Sequence, residues 1–165
     1  MDKGTFRSSV KAAANAYAEG HARVMERRKA WAQARAAALD IFREAAKAAS
    51  EAGGFRLYPH ELGDVSVSLR TGKDPTGRKH EGGIEIEREA GMAYSVGQDG
   101  SVGLIHMPHV LDEQPGENVV VRVFDDPSEL TPDLVRDHVV DFLEWALTTS
   151  FRGWTPEQRK RRLGF

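Results

Sequence analysis

Two histidines and an acid make the first place in this chain to look for chemistry. His106-Met107-Pro108-His109 is followed closely by Asp112 and Glu113. Two imidazoles and a carboxylate are a donor set for a divalent metal, and a small metal- or His-dependent hydrolase acting on nucleotides or nucleic acid could be built on them. The spacing works against it. Histidine pairs point the same way at i, i+4 on a helix or i, i+2 on a strand. A three-residue step containing proline satisfies neither, so His106, His109 and Asp112 are expected at a strand-to-loop exit with no metal or cofactor assigned.

Two other sets are weaker. Asp64, Glu85 and Glu87 fall on successive expected strands, a loose echo of acidic nuclease centres. Such centres want a lysine two residues after the second acid, whereas here the alternation runs Glu85, Glu87, Glu89 and reads as a solvated strand face. The segment from Thr71 to His80 holds Gly72, Gly77, Lys73, Arg78 and Lys79, which suits a phosphate grip. It lacks a Gly-Lys-Ser/Thr step with a helix behind it and is expected to be a mobile basic turn. The chain has no cysteine, so thiolate ligands, Cys nucleophiles and disulfides are excluded.

The elements that must position these residues begin with a long Ala- and Arg-rich run over 8–52. Val10, Tyr17, Val24 and Trp31 stand seven apart, and Ala13, Gly20, Arg27 and Ala34 follow three residues after each. That 3+4 alternation is a helix laying a narrow seam on another helix. Beyond Trp31 the stripe widens through Ala38, Leu39, Ile41, Phe42, Ala45 and Ala49, as suits a sheet. Ser8 or Ser9 is expected to cap the helix, Gly20 to leave it continuous, and Gly53-Gly54 to stop it.

After 55 the period changes to two. Val65–Leu69, Ile84–Glu87, Met92–Val96 and Val102–Met107 read as strands, with Gly97-Gln98-Asp99-Gly100 as a hairpin turn. Val119–Phe124, more continuously apolar, reads as a strand inside the sheet, and Phe55–Tyr58 as a short extra one. Thr131-Pro132-Asp133 opens a packing helix over 131–150, with Leu134, Val135, Val139, Phe142, Leu143, Ala146 and Leu147 turned inward. Thr155 caps a short helix or tail over 155–165 that carries Arg159, Lys160, Arg161 and Arg162. The reading is one α+β domain: a long N-terminal helix, an antiparallel meander of five or six strands over 55–125, and a C-terminal helix on one face of the sheet.

Composition sets the partner class. Net charge is −2 over 165 residues, but residues 7–52 carry nine Lys/Arg against five acids and residues 53–126 seven against thirteen. Arg23, Arg28, Lys29 and Arg35 form a basic patch along the helix, and the open sheet face is expected to be acidic from Glu85, Glu87 and Glu89. Val10, Tyr17, Val24, Arg27 and Trp31 are the expected interaction residues, with Arg27 paired to an acid such as Glu19 or Glu26 across the interface. The expectation is a cytoplasmic, non-catalytic interaction protein, an adaptor, inhibitor or assembly subunit. It self-associates as a homodimer through the long helix and meets a protein with an acidic surface in preference to nucleic acid. A membrane is not expected, since no run of apolar residues approaches the span of a bilayer.

Overall fold

The computed structural model of the chain describes residues 2–53, 55–110, 116–150 and Glu157. Its order is α1 (Lys3–Ala52), β1 (Leu57–Leu62), β2 (Ser66–Thr71), β3 (Asp74–His80), β4 (Gly83–Glu87), β5 (Gly91–Val96), β6 (Val102–Met107), β7 (Val119–Phe124), a 3-10 turn (Pro127–Glu129) and α2 (Pro132–Thr149). This is the expected α+β arrangement. Asp112 and the segment from Thr155 to Phe165, apart from Glu157, lie outside the described residues.

α1 is one helix of 50 residues, unbroken at Gly20, and so about 75 Å long at 1.5 Å per residue. Its start corrects the expectation of a cap at Ser8 or Ser9. Asp2 is the cap, its Oδ1 accepting from the Gly4 amide at 2.7 Å and the Thr5 amide at 3.0 Å. Gly53 ends the helix at φ 74° and donates its amide to the Ala49 carbonyl at 3.1 Å.

Five strands pair antiparallel in the order β1-β2-β5-β6-β7, while β3 and β4 form a separate two-stranded sheet. The run expected as a mobile turn is therefore partly strand, since β3 pairs Asp74 with Glu87 and His80 with Gly83. On one face of the main sheet, Val67, Leu69, Met92, Tyr94, Val102, Leu104 and Phe124 are buried beneath both helices. α1 contributes Trp31, Ala34, Ala38, Ile41 and Phe42 to this core, and α2 contributes Val135, Val139, Phe142 and Ala146. Thr131 caps α2 through its Oγ1 and Pro132 opens it. Leu147, expected inside, is exposed at the surface, and His138 occupies the inward position instead.

Two further expectations are corrected. β7 is an edge strand, and Val119, Val120, Val121 and Val123 are exposed. A continuous apolar run fits a buried strand, but β-branched residues also favour extended backbone wherever the strand lies. The open face of the main sheet is not acidic either. The registers place on it Ser66, Ser68, Arg70, Ala93, Ser95, Ile105 and Val123, because the Glu85–Glu89 stretch belongs to β4 and the loop after it. There Glu87 is buried, and Glu89 lies within 4 Å of both Arg70 and Lys73.

Candidate functional site

The heptad stripe of α1 runs without a break from Phe6 through Val10, Ala13, Tyr17, Gly20, Val24, Arg27, Trp31, Ala34 and Ala38 to Ile41. Its surroundings change along the way. From Trp31 onward the large and small members are buried in the core. From Phe6 to Tyr17 they are bare, with Tyr17 80 % and Phe6 59 % exposed. Val24 and Arg27 are half-buried at the border.

Two turns at the same end of the sheet set that border. In the β1–β2 turn, the Asp64 carbonyl accepts from the Trp31 indole at 2.7 Å, and the Gly63 carbonyl accepts from the Arg35 guanidinium. Arg35 also lies 3.5 Å from Glu61. In the β5–β6 turn, the Asp99 carbonyl accepts from Arg27 at 3.2 Å and the Gln98 carbonyl from Arg28 at 3.5 Å. Gly100, at φ 81°, lets that turn close onto the helix: a Cβ there would stand 3.2 Å from the Val24 carbonyl. N-terminal to Val24, every α1 residue except half-buried Gly20 is exposed.

The residues singled out from sequence therefore separate. Val10 and Tyr17 lie on the bare arm, Val24 and Arg27 at its root, and Trp31 in the core. Arg27 bonds a backbone carbonyl of its own chain. Of the basic patch, half-buried Arg35 and exposed Arg28 bond turn carbonyls, and Arg23 and Lys29 are exposed. A notch of about 520 Å³ opens at the root, walled by Tyr17, Gly20, His21, Val24, Met25, Arg28 and Gln98. Phe6 and this notch were missed from sequence. Asp2 as a cap residue would have carried the stripe back to Phe6, since Phe6 precedes Val10 by the four-residue step of the heptad; the notch depends on the Gln98 turn and has no local signal.

The histidines do not form one centre. His106 is buried beneath α2, its ring 5.5 Å from that of Phe142 and 4.9 Å from that of Trp145. Burial holds it below the usual imidazole value, with the nearby His138 adding to the effect. His109 instead lines a groove of about 890 Å³ between the C-terminal ends of both helices and the start of the sheet, with Phe55, Arg56, Tyr58, Lys73 and Leu143 around it. Its Nδ1 lies 2.7 Å from the Arg88 carbonyl and 3.7 Å from Glu87 Oε2. A carbonyl only accepts, so Nδ1 donates in this contact. Ser150 donates to the same Glu87 oxygen at 3.0 Å. This buried Glu87–His109–Ser150 cluster was also missed, because Glu87 in an alternating acidic run carries no mark of burial. Its serine bonds the acid and not the imidazole, so it lacks the relay of a nucleophilic triad. Among the described residues no three His, Asp or Glu side chains are grouped to hold a metal, and no helix is long and apolar enough to cross a membrane.

Comparison with protein families, with characterised proteins and with solved structures finds no match.

Proposed function

We propose that this is a non-catalytic interaction protein, an adaptor or assembly subunit, whose projecting α1 arm joins it to a second copy. One observation carries the reading: a single heptad stripe is packed in its rear half and bare in its front half. The same pattern that seats Trp31 in the core presents Phe6, Val10 and Tyr17 to water. Covering an exposed large side chain is worth roughly 1.5–3 kcal/mol, so a facing helix has several such increments to gain. The heptad favours a helix as that partner. Exposed Arg23 and Lys29 leave a smaller positive surface for an acidic protein. Nucleic acid has less to hold, since Arg28 and Arg35 already bind backbone carbonyls.

The hydrolase alternative has less behind it, because His106 packs among aromatic rings while His109 is tied to Arg88 and Glu87.

Sedimentation velocity at tens of micromolar tests the proposal. A dimer is expected, and Tyr17→Glu should convert it to a monomer with an unchanged circular dichroism spectrum in the strand region. A wild-type monomer at that concentration overturns it.

A further inference from the structure

We infer that the two arms pair antiparallel about a two-fold axis at Asn15, each Phe6 seated in the notch at the root of the other arm. The inference rests on the self-association proposed above and adds its direction and register.

The seam alternates large and small. Reversing one arm on another about residue 15 puts Val10 opposite Gly20, Tyr17 opposite Ala13, and Phe6 opposite Val24. Each aromatic thus faces a smaller side chain, and the helices can approach closely with neither voids nor overpacking. The notch lies where this register delivers Phe6, walled by Gly20, Val24, Met25 and Gln98, and its 520 Å³ exceeds a phenyl ring.

The other arrangements fit less well. A parallel pair sets Tyr17 on Tyr17 and Gly20 on Gly20, leaving uneven layers, and brings Arg27, Arg28 and Lys29 of the two copies together. Like charges at such range repel. Sliding the antiparallel pair one heptad one way stacks Phe6 on Tyr17 and leaves the notch empty. Sliding it the other way aims Phe6 at Trp31, which its own chain already buries.

Because the chain has no cysteine, oxidative cross-linking of the full-length protein tests this directly. A disulfide needs Cα atoms roughly 4.4–6.8 Å apart. In the inferred register Val10 of one copy meets Gly20 of the other, while the two Val10 residues stand about 15 Å apart along the axis. V10C and G20C should each remain unlinked alone and form a heterodimer when mixed. Phe6→Ala should raise the dimer dissociation constant at least tenfold. Self-linking of V10C alone, a dimer that links in neither test, or an unchanged constant for Phe6→Ala overturns the register and leaves self-association standing. A monomer in sedimentation with no link overturns both.

Discussion

The Gly100 backbone lies so close to Arg27 that a methyl group on it would stand 2.7 Å from the arginine Cβ. Real Cβ atoms do not approach so closely, and the φ of 81° is one that L side chains rarely adopt. Gly100→Ala is therefore expected to lower stability by about 1–3 kcal/mol and to loosen the arm's root. Thermal unfolding gives the first effect. Faster amide exchange at residues 24–31 shows the second.

Positions two heptads apart on one stripe should respond very differently. Trp31 is 2 % exposed and donates to Asp64, so Trp31→Ala is expected to cost about 3–5 kcal/mol. Tyr17 stands on the bare arm, and Tyr17→Ala should move the stability of the monomer by no more than about 0.5 kcal/mol. Denaturant titration at concentrations low enough to dissociate any dimer makes the comparison.

Stability should fall in mild acid. Burial holds His106 and His138 below the ordinary imidazole value of 6.5, Arg122 adding to the effect at His138. The unfolded chain then takes up protons first, so stability is full above about pH 6.5 and declines as pH drops toward the folded values. Melting temperature against pH checks the sign. His106 Nε2 is buried without a hydrogen-bond partner among the described residues. His106→Leu should therefore be neutral or stabilising by about 1 kcal/mol at pH 7, with a shallower acid slope.

Glu87 sets the other polar centre. Its carboxylate accepts from Ser150 and lies 3.7 Å from His109. Glu87→Leu strands Ser150 and His109 beside an apolar group, and a loss of about 3 kcal/mol is expected. Ser150→Ala removes its bond to Glu87 and leaves the contact between Glu87 and His109, and should cost about 1 kcal/mol. Urea unfolding of the two variants separates these values, and equal losses would show that the carboxylate is not the centre of the cluster.

Much of this architecture was legible because the period of the chain changes at the right places. The heptad named the long helix, the stripe beyond Trp31 named its packed half, and Thr131-Pro132 marked the start of α2. What stayed hidden depends on partners distant in sequence. Asp2 stands well before Val10, with Ser8 and Ser9 offering a nearer cap, and the run Glu85-Ile86-Glu87 has the same alternation whether or not its second acid is buried. β7 misled for a related reason: four valines state a preference for extended backbone and say nothing about which side of the sheet the strand will occupy. The notch and the His109 groove are tertiary surfaces, each assembled from segments far apart in the sequence.

The absence of a break at Gly20 makes α1 a ruler. A continuous helix converts residues into length at about 1.5 Å each and into rotation at about 100° each. Seven residues inserted at Asn15 would lengthen the arm by about 10 Å and turn its outer end by only about 20°. Phe6 and Val10 would stay nearly in phase with Val24 and Trp31. Five inserted residues would swing the same end through about 140°, so the bare stripe would look out from the opposite side of the helix. Both insertions leave the turns at Asp64 and Asp99 untouched. The spacing of whatever the arm joins is thus a quantity the sequence can adjust in steps of one heptad, independently of the sheet behind it.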